Sequence, residues 1–313
     1  MRHVFGNLRL LRPLAVVVVL AAGLHAHEAE AKEFYLIDAH SQIDHLIDRS
    51  KIVPLMDKAG IRHVILSTRG RVKPEQITRF AAKHPDRITA SVRSKGGHYD
   101  SAAPKWFKFM KKQLSMPGFG AMAEVILWHA QKGNKAPEVV VPPDDKRIRL
   151  ALKGAKGKGW PFIIHIEFAA SLSAETFMKK MEAMLEDNSD TPFALIHMGQ
   201  LEAEEAARLL AKHPNFHFLV SHSNPITKAD SNQPWIDLFD GGPSLAPRWK
   251  ALFVKYPDRF ILNFDNVWVE HWGDKYVRQA ALWRKALSDL PHAVAHAVAH
   301  GNAERLWRLP TAN

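Results

Sequence analysis

Short apolar runs rich in β-branched residues alternate along this chain with stretches of helical periodicity. Eight such runs occur, at Phe34–His40, Ile61–Ser67, Arg87–Arg93, Gly120–Leu127, Pro161–Glu167, Pro192–Gly199, Phe216–His222 and Arg259–Asp265. Helical patterns such as Ser171–Asn188 and Leu201–His213 separate them. Strands that alternate with helices form parallel sheets, and eight strands close a barrel of about 250 residues. We therefore predict an α/β fold, a (β/α)8 TIM barrel. A doubly wound open sheet is the alternative, weakened because no G-x-G-x-x-G motif follows the first strand.

The N-terminal residues have the pattern of an export signal. Three arginines precede the apolar run from Leu14 to Leu24, which is too short, at about 1.5 Å per residue, to cross a hydrocarbon core of about 30 Å. Ala29-Glu30-Ala31 is an A-x-A cleavage site, and cleavage after Ala26 is the alternative. We predict a signal peptide over residues 1–31 and one domain over 32–313, periplasmic or secreted, with no stable membrane anchor after cleavage. A retained anchor is the competing interpretation.

Composition excludes some kinds of catalytic site and indicates the charge of a partner. The chain has no Cys, which excludes disulfide scaffolds, thiolate metal sites and Cys nucleophiles. Its formal charge of +11 suits an anionic partner. The basic and aromatic segment Lys105–Lys112 would suit nucleic acid, but an amphipathic helix whose lysines extend to solvent is the better interpretation in an exported chain. We predict a small-molecule substrate and no nucleic-acid partner, and the sequence leaves the oligomeric state open.

Titratable and polar side chains recur where the predicted strands end. Because the active site of a barrel is built at the carboxyl ends of its strands, these residues are candidates for one site. A single buried His at a strand end is more often a satisfied core residue. Five strand ends with His, Glu or Asp are different, because each costs several kcal/mol if buried unpaired, and a shared polar cavity or a metal removes that cost. The candidates are His40, Gln42, Glu124, His165, His197, His222 and Asp265.

Several of these residues stand in short motifs with a familiar order. The motifs are Asp38-Ala39-His40, Glu124, His165, His197-Met198-Gly199, Tyr256-Pro257-Asp258-Arg259-Phe260 before Asp265, and Gly301-Asn302-Ala303-Glu304-Arg305-Leu306-Trp307. In this order and spacing, they resemble the amidohydrolase superfamily over about residues 34–309. The similar branch contains amidohydrolase-related barrels such as aminocarboxymuconate semialdehyde decarboxylase and several lactonases.

The resemblance implies a barrel with a metal ion at the strand ends. In the family the ligands are two His in an H-x-H motif on the first strand, a His on the fifth and an Asp on the eighth. Here they would be His40, His165 and Asp265. The family's sixth-strand His contacts the substrate, which gives His197 a substrate-polarising role. Glu124 would be an auxiliary ligand or an acid beside the ligands.

Gln42 departs from the family pattern, because it stands where the second His of H-x-H is expected. Residues 40 and 42 of a strand share a face, so Gln42 should point into the site. Its amide oxygen should bind Zn²⁺ less well than imidazole, yet a catalytic zinc commonly keeps three protein ligands and one open position. We therefore predict one divalent ion, of which Zn²⁺ is the first choice, with Gln42 as a weak or water-mediated ligand. A site without metal is the alternative.

The expected chemistry follows from this set of residues. A divalent ion produces hydroxide from bound water at neutral pH, Asp265 is placed to accept and return the proton, and His197 would stabilise the developing oxyanion. The products would be those of lactone, amide or ester hydrolysis. The alternatives are non-oxidative decarboxylation of an aromatic or muconate-type acid and a non-catalytic binding protein. His222, Trp128 and His271 are the residues expected to line a pocket for an aromatic or acidic substrate.

Overall fold

The structure is a computed structural model that describes residues 34–96, 98–132, 137–170 and 174–311. The predicted signal peptide lies outside these residues. The described residues from Tyr35 onward form one compact unit. No helix among the described residues is both long enough and apolar enough to span a membrane.

Ten strands are present in the described part of the chain. They are β1 (Leu36–Ile43), β2 (Ile61–Thr68), β3 (Ile88–Val92), β4 (Ala121–Met122), β5 (Val125–His129), β6 (Val139–Val140), β7 (Phe162–Ile166), β8 (Phe193–Leu195), β9 (Phe216–Leu219) and β10 (Phe260–Ile261). Parallel pairing runs in the order β1-β2-β3-β4 and again in the order β5-β7-β8-β9-β10. The short β6 adds antiparallel to β5 outside this series.

The two parallel series join into one eight-stranded barrel. β4 and β5 are two halves of the fourth barrel strand, since β4 pairs with β3 and β5 pairs with β7. Backbone bonds from Ala39 N to Leu262 O (3.1 Å) and from Asp265 N to His40 O (2.9 Å) connect the first strand to the last. The predicted (β/α)8 barrel is thus the fold, and each of the eight predicted runs overlaps a barrel strand.

Eleven α-helices surround the strands in the described residues. They are α1 (Ile52–Ala59), α2 (Pro74–Lys83), α3 (Pro104–Ser115), α4 (Lys146–Lys158), α5 (Ala174–Glu186), α6 (Ala203–Lys212), α7 (Pro225–Ala229), α8 (Pro247–Lys255), α9 (Asp274–Ser288), α10 (His292–His296) and α11 (Asn302–Trp307). The predicted helices over Ser171–Asn188 and Leu201–His213 correspond to α5 and α6. In α6 the acidic first turn and Lys212 in the last turn suit the helix dipole, while Ala206, Leu209 and Leu210 are buried.

The amphipathic helix expected over Lys105–Lys112 is present as α3. Trp106, Met110 and Gln113 form its buried face, and the lysines lie outside that face. The spacing of the buried residues is that of a helix packed on the barrel wall. The aromatic residue Trp106 is therefore part of the core, and its indole N–H donates to Ser94 O at 2.8 Å.

Three predicted strands are clearly shorter than the sequence pattern suggested. The prediction Phe216–His222 corresponds to β9, which ends at Leu219 before the left-handed His222. β8 stops at Leu195 because His197, Met198 and Gly199 adopt left-handed backbone angles, which no strand can continue. Gly199 suits its position (φ +61°), because a Cβ there would lie 2.4 Å from Leu195 Cδ2. β10 ends after two residues, and the chain then runs to Asp265, whose φ is +46°.

Candidate active site

A cavity of about 1010 Å³ opens at the carboxyl ends of the barrel strands. The predicted site residues that line it are Gln42, Glu124, His165, His197, His222, Asp265 and His271. His40 lies beneath this surface with none of its side chain exposed, yet its ring faces the carboxylates of Glu124 and Asp265. The topology of a parallel barrel brings these residues together from six different strands or strand ends, as the sequence predicted.

Glu124 is the central residue of the site. Its Oε1 accepts hydrogen bonds from Gln42 Nε2 at 3.0 Å and from Lys95 Nζ, and its Oε2 lies 2.5 Å from His165 Nδ1. Burial opposes ionisation here, but Lys95 and His165 overcome that effect and hold the pKa of Glu124 well below its usual range. The carboxylate is therefore charged at neutral pH, although it is completely buried.

The break in the fourth barrel strand explains how Glu124 reaches this position. Ala123 N still donates to Val92 O at 2.9 Å, and pairing with β7 begins again at Val125. Ser94 Oγ donates to the carbonyl oxygen of Glu124 and so satisfies a backbone group that the ladder leaves free. Glu124 sits at the junction between the two half-strands.

His40 and Asp265 complete a compact set of donor atoms around Glu124. His40 Nε2 lies 3.6 Å from Glu124 Oε1 and 3.5 Å from Asp265 Oδ1. Neither ring nitrogen of His40 has a hydrogen-bond partner among the described residues, and both are buried. A buried imidazole nitrogen that faces two carboxylate oxygens is a donor set that a divalent cation such as Zn²⁺ takes. These three residues therefore fit a metal ion.

Gln42 points into the same space and shares it with these donors. Its Nε2 donates to Glu124 Oε1 at 3.0 Å and to Asp265 Oδ1 at 3.1 Å. The amide nitrogen, rather than the amide oxygen, thus faces the carboxylates. Together with the Lys95 ammonium it partly compensates two negative charges that would otherwise face each other.

His165 lies between two carboxylates. Its Nδ1 contacts Glu124 and its Nε2 lies 3.1 Å from Glu167 Oε1. Burial alone would lower the pKa of His165, but the two carboxylates outweigh it and raise the pKa to about 9. Glu167 also accepts from Lys132 Nζ at 2.6 Å, and the charges of His165 and Lys132 keep its pKa below the usual range despite burial.

Three of the predicted residues are aimed by left-handed backbone angles. His197, His222 and Asp265 have φ values of +57°, +60° and +46°. Non-glycine residues rarely adopt this region, and each such residue costs about 1–3 kcal/mol, which the surrounding structure must offset. All three follow short strands on one side of the barrel, so the strain directs two imidazoles and a carboxylate into the cavity.

His197 and His222 form a stacked pair beside Asp265. Their rings are parallel with centroids 4.3 Å apart, and their Nε2 atoms lie 3.6 Å and 3.9 Å from Asp265 Oδ2. Burial lowers the pKa of His197 well below its usual value, with the neighbouring His222 a further cause, and burial lowers the pKa of His222 to about 3. Both rings are therefore neutral. Ser221 Oγ lies 2.9 Å from His197 Nδ1.

The grouping of possible donor atoms differs in one respect from the predicted ligand set. His40, Glu124 and Asp265 place one donor atom each within 4.8 Å of one another, and so do Glu124, His165 and His197. His40, His165 and Asp265 do not form such a group within the described part of the chain. Glu124 joins the two groups through its two oxygens and so has a more central place than the auxiliary position expected for it.

Of the three residues expected to line a substrate pocket, His222 and His271 do so and Trp128 does not. Trp128 is buried on the outer side of β5 against Phe177, and its indole N–H donates to Glu138 at 3.1 Å. The register of β5 against β7 shifts between Ile126 and Trp128. Such an irregularity reverses which residues face inward, so His129 lines the cavity in place of Trp128.

Asp38 belongs to the barrel closure and not to the cavity. Its carboxylate accepts bonds from Phe264 N (3.0 Å), Ser41 Oγ (2.6 Å) and Tyr276 OH (3.0 Å), which tie the first strand to the last and to α9. Burial raises the pKa of Asp38 to about 6. This part of the Asp38-Ala39-His40 motif is therefore structural.

Among the residues of the site that the sequence analysis missed are Lys95, Lys132, Glu167 and Ser221. Glu167 and Ser221 each stand within two residues of a predicted site histidine at a strand end, which is a signal that could have found them. Lys95 and Lys132 lie in loops, where the sequence does not indicate which side chains turn inward.

Comparisons with known proteins agree with this architecture. A family model named Amidohydro_2, described as amidohydrolase, matches residues 24–309. A search of the curated proteins finds no match. Among solved structures, an uncharacterised TIM-barrel protein of Bordetella bronchiseptica is 16% identical with a TM-score of 0.55 and covers 88% of this chain and 99% of its own.

Two further solved structures are similar over the same length. The 5-carboxyvanillate decarboxylase LigW of Sphingomonas paucimobilis is 12% identical with a TM-score of 0.53, over 88% of this chain and 99% of its own. An amidohydrolase of Burkholderia multivorans with bound zinc is 14% identical with a TM-score of 0.51, over 88% of this chain and 100% of its own. At these identities the likeness shows the fold alone.

Proposed function

Because the chain belongs to the amidohydrolase family, whose enzymes include hydrolases and decarboxylases, we propose that it is a metal-dependent hydrolase that opens a lactone, amide or ester bond in a small molecule. The observation that carries this proposal is the convergence of His40 Nε2, Glu124 Oε1 and Asp265 Oδ1, where neither ring nitrogen of His40 has a hydrogen-bond partner among the residues that the structure describes. Three donors and a cavity beside them match the pattern of a catalytic site with an open position.

One divalent ion, with Zn²⁺ as first choice, would be held by His40, Glu124 and Asp265. The two ring nitrogens of His165 now face one carboxylate each. His165 would join the ligands once it loses one of its ring protons. The Gln42 amide donates to two of these carboxylates, so its place in the assembly is to orient them. A ligand role for its oxygen would require a turn of the amide group.

A bound divalent ion supplies Lewis acidity and a nucleophile derived from water at neutral pH. The residues around it supply the proton transfers and the charge stabilisation. Asp265 Oδ2 faces the cavity and the two neutral imidazoles, so it is placed to accept a proton from the attacking water and to return it to the leaving group.

His197 is placed to stabilise negative charge on the substrate oxygen. Ser221 Oγ lies 2.9 Å from Nδ1, and Nε2 faces Asp265 Oδ2 at 3.6 Å, so we assign the proton of the neutral ring to Nε2 and let the hydroxyl donate to Nδ1. The parallel His222 ring fixes the plane of His197, and Trp235 packs against both rings at 4.9 Å and 5.0 Å. A fixed N–H donor of this kind costs little reorganisation during the reaction.

The export of the chain is also proposed, on the pattern of residues 1–31. Mass spectrometry of the protein recovered from the periplasm or medium should find an N-terminus at Lys32, or at His27 if the alternative site is used. A chain that keeps Met1 and stays in the membrane fraction would contradict the signal peptide.

Metal analysis combined with a turnover panel tests the proposed activity. The purified protein should hold about one divalent ion per chain, and it should hydrolyse at least one member of a panel of lactones, amides and esters. His165→Ala and Asp265→Ala should lose both the ion and turnover, while His292→Ala, on the exposed face of α10, should keep both.

Three results would contradict the proposed hydrolase activity. Turnover that survives without any ion would exclude the metal-dependent mechanism. Release of CO₂ from an aromatic acid, with no water incorporated into the product, would establish the decarboxylase. Ligand-induced stabilisation without turnover across the panel would indicate a binding protein.

A further inference from the structure

Two arginines stand at neighbouring strand ends on the rim of the cavity. Arg69 directly follows β2, and its backbone N–H donates to Ile43 O at 2.8 Å, one residue beyond Gln42 on β1. Arg93 directly follows β3, where the Gln113 side-chain amide bonds both to its N–H (3.0 Å) and to its C=O (2.9 Å). Both arginines line the cavity that contains the proposed catalytic residues, and both are half-buried.

The two guanidinium groups are held by carbonyl oxygens and an aromatic ring. Arg93 Nε donates to Lys95 O (2.8 Å) and its Nη1 to Gly70 O (2.9 Å). Arg69 Nη1 donates to Val267 O (3.3 Å), and its guanidinium lies 3.8 Å from the centre of the Trp268 ring. These contacts fix the positions of the groups without neutralising their charge.

Gly96 permits the placement of Arg93. A Cβ at this residue would lie 2.3 Å from Arg93 Nη2, and its φ of +86° is one that side-chain-bearing residues rarely adopt. The loop therefore runs directly against the guanidinium. Arg93 Nη2 itself donates to no acceptor in the described ranges, so its hydrogen-bonding capacity is left for a ligand.

The three lysines that line the cavity have carboxylate partners, and these two arginines do not. Lys95 pairs with Glu124, Lys132 with Glu167 at 2.6 Å, and Lys275 with Asp230 at 3.0 Å. Within the described residues neither Arg69 nor Arg93 forms an ion pair. Burial lowers the pKa of Arg93, and the charge of Arg69 is a further cause, so the two positive groups are close enough to repel each other.

We propose that Arg69 and Arg93 form an anion subsite that binds a carboxylate group of the substrate. This inference rests on the proposed function, since it assigns the substrate class of the same cavity. A carboxylate accepts several hydrogen bonds at once from guanidinium N–H groups in a plane, and it would relieve the repulsion between the two cations. The hydrolysed bond would then belong to a lactone, amide or ester that also carries an acid group.

The test uses benzoate and its neutral counterpart benzamide as probes, on intact protein stripped of metal with a chelator. Without metal, direct coordination of the carboxylate cannot imitate the subsite. Wild-type protein should bind benzoate more tightly than benzamide, as measured by ligand-observed NMR titration. Arg69→Gln and Arg93→Gln should each weaken benzoate binding about 10- to 100-fold and leave benzamide binding unchanged.

Arg71→Gln is the matched control. Arg71 is exposed, lies two residues from Arg69 and does not line the cavity, so the same loss of charge there should change neither affinity. Arg69→Lys keeps the charge and should bind benzoate better than Arg69→Gln, which separates a lost subsite from a misfolded variant.

The subsite is refuted if wild-type protein shows no preference for benzoate over benzamide, or if both glutamine variants bind benzoate as the wild type does. Because the assay contains no metal and follows no turnover, either result leaves the hydrolase proposal to its own test. Conversely, if the protein binds benzoate through these arginines but hydrolyses no compound of the panel, the subsite is supported and the proposed hydrolase activity is contradicted.

Discussion

The affinity of the site for a divalent ion should rise steeply between pH 7 and pH 9 through one residue, His165. The contacts of its ring with Glu124 (2.5 Å) and Glu167 (3.1 Å) raise its pKa to about 9, so at pH 7 the ring is an imidazolium. An imidazolium cannot be a ligand, and the ion must displace its proton. Removing a proton two pH units below its pKa costs about 3 kcal/mol, or a factor of about 100 in affinity.

The metal affinity rises with pH because the proton and the metal ion compete for the same ring nitrogen of His165. The protonated form dominates below pH 9, so the apparent affinity should increase about 10-fold per pH unit from 7 and level off above 9 on account of this group. Competition between Zn²⁺-loaded protein and a fluorescent chelator of known affinity, at pH 7, 8 and 9, measures this slope.

Two variants isolate the contribution of His165. His165→Gln should lose the 10-fold slope that this residue adds, while His292→Gln, which replaces an exposed histidine on α10, should match the wild type. Any other group that titrates in all three proteins cancels in the comparison. If His165→Gln has the same slope as the wild type, His165 is not a ligand and the reasoning from its two carboxylate contacts is wrong.

Three further predictions concern single contacts. Glu124→Gln should weaken the affinity for Zn²⁺ more than about 100-fold in the same competition assay. The reason is that it removes the negative charge shared by the His40–Glu124–Asp265 and Glu124–His165–His197 groups. An unchanged affinity would contradict the central place of Glu124 in the site. Ser221→Ala should lower kcat on the order of 5-fold with KM unchanged, since one hydrogen bond of about 1 kcal/mol fixes the His197 tautomer, and an effect on KM alone would oppose that role. Asp38→Asn should change the pH dependence of stability, because the raised pKa of Asp38 gives the wild type a stability that is present at low pH and lost as pH rises through about 6. In urea unfolding the variant should therefore gain about 3 kcal/mol on the wild type between pH 3 and pH 7. A pH-independent difference would exclude the effect.

The barrel itself could be predicted because its signals are local. Each run of apolar residues is buried on both faces in a parallel sheet, so it reads as a strand without any knowledge of its neighbours. His40 and Gln42 could be placed on one face by simple alternation, and both indeed face Glu124 and Asp265. The topology then brings distant strand ends together, which is why Glu124 and Asp265 meet although they are far apart in the chain.

The errors arise where the backbone departs from regularity. The register shift between Ile126 and Trp128 turns Trp128 away from the cavity, and nothing in the local pattern announces it. Another shift between Asp38 and Ser41 lets Asp38 face the barrel wall while His40 faces the site. Left-handed residues such as His197 also end a strand early.

The loop residues of the site are the other gap between sequence and structure. Lys95 contacts Glu124 and Lys132 contacts Glu167 from loops, so these contacts depend on how the loops fold back over the barrel. The central place of Glu124 among the donor atoms could not be predicted either. It depends on the junction between two half-strands, which forms only in the assembled barrel. Periodicity along the chain carries no information about such approaches.

Anomalous X-ray diffraction from crystals equilibrated with Zn²⁺ at pH 8 addresses the central point, that one cation binds where His40, Glu124 and Asp265 meet. We expect a single strong peak within about 2.0–2.2 Å of His40 Nε2, of one oxygen from each carboxylate and of a ring nitrogen of His165. Lys95 Nζ should then have moved off Glu124 Oε1, while Gln42 Nε2 keeps its bonds to the two carboxylates. Absence of a peak at this position, with Lys95 still bonded to Glu124, would contradict the account.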